Sequence, residues 1–230
     1  MLGERLDAAD FDSRGLVGDR LYAVEDTHGK FGSGKTTRRF RRLPGLFDYR
    51  AWTAADETRV ALPDGRTLRV GSRELDDALL ERYGEELHVT PETSVSHFDA
   101  GAVHILTTAT LRRLARELPH ASVAVARFRP NLLLDLPDAA PLERAWLGAE
   151  LRVEGCVLRV ASPTERCVMV NAAQDDLPRA RTLLRDLARV ADLRVGVYAR
   201  VVEPGTMREG DAVTLTMPSL GDRAPSRPNG

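Results

Sequence analysis

Short stretches of alternating apolar and polar residues, separated by turn residues, are the feature of this sequence that most constrains its fold. Residues 58–62 and 67–70 alternate on either side of Pro63-Asp-Gly65, which predicts a β-hairpin. Residues 20–25 form an apolar run that ends at a second hairpin turn, residues 26–29. Further strand-like runs follow residue 130, at 131–136, 147–153, 156–160, 192–202 and 209–215. The sequence therefore predicts a fold made mainly of short strands.

Three other segments have apolar residues at helical spacing: 75–83, 109–118 and 177–190. The second is the clearest, because Thr107 or Thr108 can cap its start and Pro119 stops it. The chain shows no regular alternation of strand, helix and strand. This pattern predicts the α+β class, mainly β, with a β-barrel and a few peripheral helices.

Charge and cysteine content exclude several classes of protein. The 230 residues carry a formal net charge of -1, which gives no support for nucleic acid or an acidic membrane as a partner. Two cysteines make no disulfide framework, and no CxxC pair indicates zinc. The N-terminus lacks a signal peptide's apolar stretch, and no apolar run approaches the ~20 residues of a bilayer span. We predict a cytoplasmic protein with two free thiols.

Residues 29–36 (GKFGSGKT) match the pattern GxxxxGK followed by Ser or Thr, with which a phosphate-binding loop holds nucleotides. Such a loop needs a helix directly after it, so that the helix N-terminus faces the anion. Residues 37–45 (TRRFRRLPG) offer almost no apolar face for that helix to bury. We interpret the motif as a Gly-rich hairpin loop with a basic rim, and a nucleotide hydrolase stays open as an alternative.

Five motifs in a fixed order resemble those of one known family. They are GLVGDR at 15–20, VHILTT at 103–108, RFRPNLLL at 127–134, SPTERCVM at 162–169 and GTMREGDAVTL at 205–215. Together they resemble the MOSC family, named after the C-terminal domain of molybdenum cofactor sulfurase. That family includes the mitochondrial amidoxime-reducing component and bacterial relatives. The resemblance extends over most of the chain.

The resemblance implies a domain division. Residues 1–95 correspond to the N-terminal MOSC β-barrel region, truncated at its first strand, residues 96–217 to the MOSC domain, and residues 218–230 to a disordered tail. Residues 3–6 look like the continuation of that first strand. The Lys-Ser pair that cofactor-binding members carry on it would precede Met1. Residues 168–173 differ from the family's usual continuation after the cysteine, which implies a different pocket wall.

The resemblance also implies a cofactor, the molybdenum cofactor (molybdopterin), and makes Cys167 both its metal ligand and the catalytic residue. A thiolate suits the sulfur-rich coordination of a metal that already carries a dithiolene. The cation of Arg166, the preceding residue, favours the thiolate form of Cys167. Lys35 corresponds more loosely to a basic residue that follows the family's second strand.

Four more residues match cofactor-binding positions of the family. Arg129 would contact the cofactor through charge-assisted hydrogen bonds, and Asn131 through hydrogen bonds to the pterin. Thr107 and Thr108 stand where a helix N-terminus could hold the pterin phosphate.

Other candidates favour structural roles. Cys156 lies in an alternating run and is expected to pack as a small hydrophobic residue. His97 and His104 are expected to be hydrogen-bonded residues of the core or its rim. The basic run at 38–42 is expected to be a solvated face, with a place beside an anionic cofactor as the less favoured interpretation.

Three functional hypotheses follow. The first is a molybdenum-dependent oxidoreductase that reduces small N-hydroxylated or N-oxide substrates. Because no motif here resembles a flavin, haem or iron–sulfur site, its electrons would come from a separate redox protein. The second is a carrier of sulfur or of the cofactor, with a persulfide on Cys167. The third is the nucleotide hydrolase. None of them includes nucleic acid or a membrane as partner.

Overall fold

Short strands and a few helices make up the computed structural model, which describes residues 1–54 and 57–218. The strands are β1 (Ala8–Asp12), β2 (Gly15–Leu16), β3 (Tyr22–Asp26), β4 (Phe31–Ser33), β5 (Phe40–Arg42), β6 (Arg50–Ala54), β7 (Glu57–Ala61), β8 (Thr67–Arg69), β9 (Leu87–Pro91), β10 (Val103–Thr107), β11 (Leu132–Leu134), β12 (Glu150–Val153), β13 (Cys156–Glu165), β14 (Arg194–Glu203), β15 (Gly205–Arg208) and β16 (Thr214–Thr216). The α-helices are α1 (Arg73–Tyr83), α2 (Thr108–Glu117), α3 (Val125–Phe128) and α4 (Leu183–Ala191). Single 3₁₀ turns occur at Leu46–Asp48, Glu143–Trp146 and Val168–Asn171.

The chain folds into two compact units that interleave along the sequence. Of the described residues, unit 1 contains 1–5, 18–54, 57–99 and 166–186, and unit 2 contains 6–17, 100–165 and 187–218. The predicted domain boundary at residue 95 stays a prediction. Most of the tail predicted at 218–230 lies outside the described residues.

Unit 2 is built on a six-stranded sheet in the order β11-β10-β14-β13-β12-β16. Its longest pairing joins β13 and β14, and register shifts beside Val157, Val160 and Pro163 bend this pair. The sheet is curled into half a barrel. A three-stranded sheet, β15-β1-β2, completes the unit. One apolar cluster forms the core, and its fully buried members include Val103, Ile105, Ala149, Cys156, Leu158 and Val197.

Unit 1 contains a four-stranded sheet, β5-β4-β3-β9, and a three-stranded sheet, β6-β7-β8. Local turn chemistry forms the two hairpins that the sequence predicts. Asp26 Oδ1 accepts hydrogen bonds from the N–H groups of His28 and Lys30, and Gly29 takes a positive φ of 74°. Gly65 closes the β7–β8 turn with φ 88°. Both predicted hairpins are confirmed.

The helices begin and end where side chains satisfy their free backbone groups. Ser72 caps α1, whose buried face consists of Leu75, Ala78 and Leu79. Thr107 caps α2 as predicted. The prediction for α4 began too early. Residues 177–182 are not helical, because the N–H groups of Leu177 and Ala180 donate to Gln174 and Asn171 instead.

The mainly β, α+β fold with few helices is confirmed. The strand expected at residues 3–6 is wrong. Leu2, just before this segment, forms an isolated parallel bridge with Arg50, and the first strand, β1, begins only at Ala8. No helix among the described residues has the length and apolarity needed to cross a bilayer.

Candidate functional site

Cys167 lies just beyond the end of β13, where the sheet has stopped and a 3₁₀ turn begins. Its backbone is extended, with φ −120° and ψ −179°, and its carbonyl accepts the Val170 N–H at 3.2 Å. The residue is half-buried and its thiol is free of any disulfide. Arg166, also half-buried, precedes it. Cys167 is therefore only partly covered by the chain.

The loop at residues 34–39 packs against the segment that follows Cys167, within unit 1. A Cβ on Gly34 would come within 2.6 Å of Met169 Cε, so a side chain at position 34 requires Met169 to move. Lys35 is on this loop, and its ammonium forms an ion pair with Asp99 and lies 5.4 Å from the Phe40 ring centroid. Cys167, Arg166 and Lys35 thus belong to the same unit, and the loop that carries Lys35 contacts Met169.

Arg129 and Asn131 belong to unit 2, where both are fastened to His104 on β10. The Asn131 N–H donates to the His104 carbonyl at 2.8 Å, and Asn131 Oδ1 accepts the His104 N–H at 2.9 Å. His104 Nδ1 lies 3.3 Å from the Arg129 carbonyl. Arg129 ends α3 in the left-handed region, with φ 53° and ψ 52°. Such a conformation costs an arginine of order 1–3 kcal/mol and persists only where neighbours hold it.

This role of His104 was not predicted, although the motif at 103–108 contains it. The prediction that both histidines are hydrogen-bonded structural residues is confirmed. His104 is buried, and His97 is buried with its Nδ1 3.1 Å from the Arg20 carbonyl. A buried polar ring needs a partner, and periodicity alone does not reveal which one.

Thr107 and Thr108 lie at the start of α2, beside carboxylates of the chain itself. Thr107 is fully buried, caps the Thr110 N–H and donates its hydroxyl to Glu143 at 3.0 Å. Thr108 donates to Asp135 at 2.7 Å. Carboxylates are themselves favoured at a helix N-terminus, and a phosphate bound there would have to overcome their charge. Phosphate binding by these threonines stays a prediction.

Cys156 provides the contrast to Cys167. It is fully buried in the core of unit 2, and its Cβ lies 3.0 Å from the position that a Cβ on Gly205 would take. Burial raises the pKa of the Cys156 thiol, and the charge of Glu203 acts in the same direction. A thiol that resists ionisation inside a core packs as a hydrophobic residue, as predicted.

The phosphate-loop motif does not form a phosphate-binding loop. Strand β5 follows it, not a helix, and β5 pairs with β4. The pairing is parallel, with Phe31 opposite Phe40, so the predicted antiparallel hairpin is also wrong. Because β5 and not a helix follows residues 29–36, the nucleotide hydrolase loses its structural basis.

Within the described residues, no group of three or more His, Cys, Asp or Glu side chains could hold a metal ion. A cofactor that brings its own sulfur ligands needs only one thiolate from the protein. Cys167, which is half-buried and in no disulfide, fits that requirement.

The chain belongs to the MOSC family, since the family model described as MOSC domain matches residues 84–214. Among solved structures, the YuaD protein from Bacillus subtilis is 14% identical, with 92% of this chain and 86% of that chain covered and a TM-score of 0.49. YiiM from Geobacillus stearothermophilus is 15% identical over 69% and 70% of the two chains, with a TM-score of 0.41. YiiM from Escherichia coli is 20% identical over 52% and 56%, with a TM-score of 0.40. No curated protein matches the chain.

Proposed function

We propose that this MOSC protein binds the molybdenum cofactor with the Cys167 thiolate as its ligand to the metal, and that it reduces small N-hydroxylated or N-oxide substrates. One observation carries the proposal. Cys167 is partly exposed just past the end of β13, while Cys156 is fully buried in the core. A metal-binding thiolate needs that access, and a structural thiol does not.

The neighbouring residues suit an anionic, sulfur-rich group. Arg166 precedes the ligand in the chain and brings a positive charge to this segment. The absence of a side chain at Gly34 allows the loop that carries Lys35 to approach Met169 closely. Arg129 and Asn131 remain proposed contacts of the pterin, and Thr107 and Thr108 of its phosphate. When bound, the cofactor supplies a metal centre that takes up oxygen from a substrate and passes electrons to it.

The reaction defines what else is required. Reduction of an N-hydroxyl group to N–H breaks the N–O bond, consumes two electrons and two protons, and releases water. An N-oxide is reduced to the amine with the same balance. The chain has no sequence motif for a flavin, haem or iron–sulfur centre, so a separate redox protein is proposed as the electron donor.

The test compares the two cysteines in protein purified from a host that makes the cofactor. Reduction of an N-hydroxylated probe is followed with reduced methyl viologen as the electron source, and bound pterin is measured by fluorescence after oxidation. We expect Cys167→Ala to abolish turnover and to lower the pterin content. Cys156→Ala, the matched control, should retain both.

Turnover that is unchanged in Cys167→Ala would contradict the proposal. A wild-type chain that carries one added sulfur on Cys167 by mass spectrometry, and that reduces no N-hydroxylated probe, would favour the sulfur carrier instead.

A further inference from the structure

We propose that four exposed arginines beside the segment Cys167–Asn171 form a docking surface for an acidic electron-donor protein. These four residues, the arginine rim, are Arg38, Arg42, Arg179 and Arg181. All of them lie in unit 1, together with Cys167. That the partner delivers electrons rests on the proposed function above. That it is acidic follows from the charge of the surface itself.

The first half of the rim comes from a stretch with concentrated positive charge. Residues 27–47 contain six cations and no carboxylate, although the whole chain has a net charge of -1. Three of the six are held within unit 1: Lys35 by Asp99, Arg41 by Asp26 and Glu85, and Arg39 by two backbone carbonyls. Arg38 and Arg42 are exposed, and neither guanidinium has an ion pair or hydrogen bond within residues 1–54 and 57–218.

This stretch lies against the Cys167 segment. Gly34 faces the end of the Met169 side chain, and Arg38 follows four residues later in the same loop. The Arg42 N–H donates to Thr36 Oγ1 at 3.4 Å, which fastens the start of the loop to β5. Arg38 is therefore on the loop that contacts Met169, two residues after the candidate metal ligand, and Arg42 is on the strand into which this loop leads.

The second half of the rim follows Cys167 in the chain. The Ala180 N–H donates to the Asn171 carbonyl at 3.0 Å, which places residues 179–181 beside the end of the 3₁₀ turn. The side chains of Arg179 and Arg181 are exposed and have no ion pair in the part of the chain that the structure describes. Of the two acids in this stretch, Asp175 is paired with Arg50 at 3.0 Å, and Asp176 is exposed.

Directly after Cys167, the chain exposes an apolar residue to solvent. Val168 directly follows Cys167, and 46% of its surface is exposed. An apolar centre with a charged rim is the common anatomy of a small, transient protein–protein interface, and redox encounters belong to that class. A donor seated on Val168 would contact the residue next to the proposed metal ligand.

The surface fits an acidic protein better than a nucleic acid. Single-stranded nucleic acid is held by aromatic rings that stack on its bases. Of the three phenylalanines in residues 27–47, Phe31 and Phe40 are buried and Phe47 is half-buried. The chain as a whole also lacks the positive charge of a nucleic-acid-binding domain.

The experiment measures binding of an acidic plant-type ferredoxin by calorimetry, at about 0.01 M and about 0.15 M salt. The variants are R38E/R42E, R179E/R181E and the matched control R69E/R73E, which makes the same charge change on exposed residues of unit 1. We expect each rim variant to weaken binding about tenfold or more at low salt, and the control about twofold or less. Higher salt should weaken wild-type binding.

Equal weakening by the rim and control variants, or no weakening by either, would overturn the docking surface. So would a single-stranded oligonucleotide that binds more tightly than ferredoxin and depends on the same arginines. Two rim variants are included so that failure of one to fold does not decide the outcome.

Molybdenum content and viologen-driven turnover of the same preparations separate this proposal from the proposed function. Both should be unchanged in R38E/R42E. A wild-type chain that binds ferredoxin through the rim but contains no molybdenum would overturn the proposed function and leave the docking surface standing.

Discussion

The two cysteines stand at opposite ends of strand β13 and experience opposite environments. Cys156 opens the strand, pairs with Val153 and is fully buried. Cys167 follows two residues after the strand ends and is half-buried. Inside the sheet, burial raises the pKa of the thiol and excludes ligands. Beyond its end, the sheet no longer covers the side chain. The difference teaches that a residue's position relative to a strand end, not its type alone, decides between packing and chemistry.

Chemical modification should show the largest difference. A half-buried thiol reacts from the native state, whereas a thiol in a core strand reacts only after the structure opens. We expect iodoacetamide to modify Cys167 at least about a hundredfold faster than Cys156 in protein without cofactor. Peptide mass spectrometry over time measures both rates in one sample. Equal rates would show that the two environments are alike.

The free energy of unfolding should be more sensitive to substitution of Cys156 than of Cys167. Cys156→Ser places a hydroxyl in an apolar core, which is expected to lower the free energy of unfolding by about 1–3 kcal/mol. Cys167→Ser, where the side chain is half-buried, should change it by no more than about 0.5 kcal/mol. Urea denaturation compares the two variants. A larger loss for the serine at position 167 would contradict the comparison.

Two glycines extend the comparison, because Gly205 lies against Cys156 and Gly34 lies against Met169, two residues after Cys167. A Cβ on Gly205 would lie 3.0 Å from the backbone nitrogen of Cys156. Neither backbone can easily move away, because β15 is paired with β1 and β13 with β12 and β14. Gly205→Ala should therefore cost about 1–3 kcal/mol of stability. A Cβ on Gly34 would meet the flexible end of Met169, so Gly34→Ala should cost less stability but lower the molybdenum content.

The double variant Gly34→Ala with Met169→Ala is the control for that prediction. Removing the Met169 side chain relieves the clash, so molybdenum content should recover if crowding is the cause. If the molybdenum content does not recover, crowding of the Met169 side chain is not the cause of the loss.

The smallest expected effect is a dependence on pH. Because the pKa of Cys156 is raised above its ordinary 9.0, the folded chain keeps this proton to a higher pH than the unfolded chain. The stability it contributes is present below about pH 9 and is lost as the pH rises through the folded pKa. Urea denaturation between about pH 8 and 11 should show a shallower loss in Cys156→Ala than in wild type or Cys167→Ala. Tyr83, whose pKa is raised to about 12, acts in the same direction in all three proteins.

Much of the fold follows from local sequence, and the site follows only in part. The β7–β8 hairpin and the cap of α2 depend on turn and capping residues that lie next to one another, so both were predicted. The approach of Gly34 to Met169 joins residues distant in sequence. The parallel pairing of β4 with β5 joins nearby residues, but the turn residues between them do not distinguish a parallel return from a hairpin. No local pattern encodes them. The family motifs identified Cys167 as the candidate ligand. Its exposure, however, depends on where β13 stops pairing with β14, and the last pair joins Glu165 to Arg194.

The most direct test of the central claim is the sulfur coordination of the metal, measured by X-ray absorption at the molybdenum edge. Wild type and Cys156→Ser, the control, should show the same number of sulfur ligands. The molybdenum that Cys167→Ser retains should have one sulfur ligand fewer, because an oxygen donor replaces the thiolate. An unchanged sulfur count in Cys167→Ser would contradict the assignment of Cys167 as the ligand.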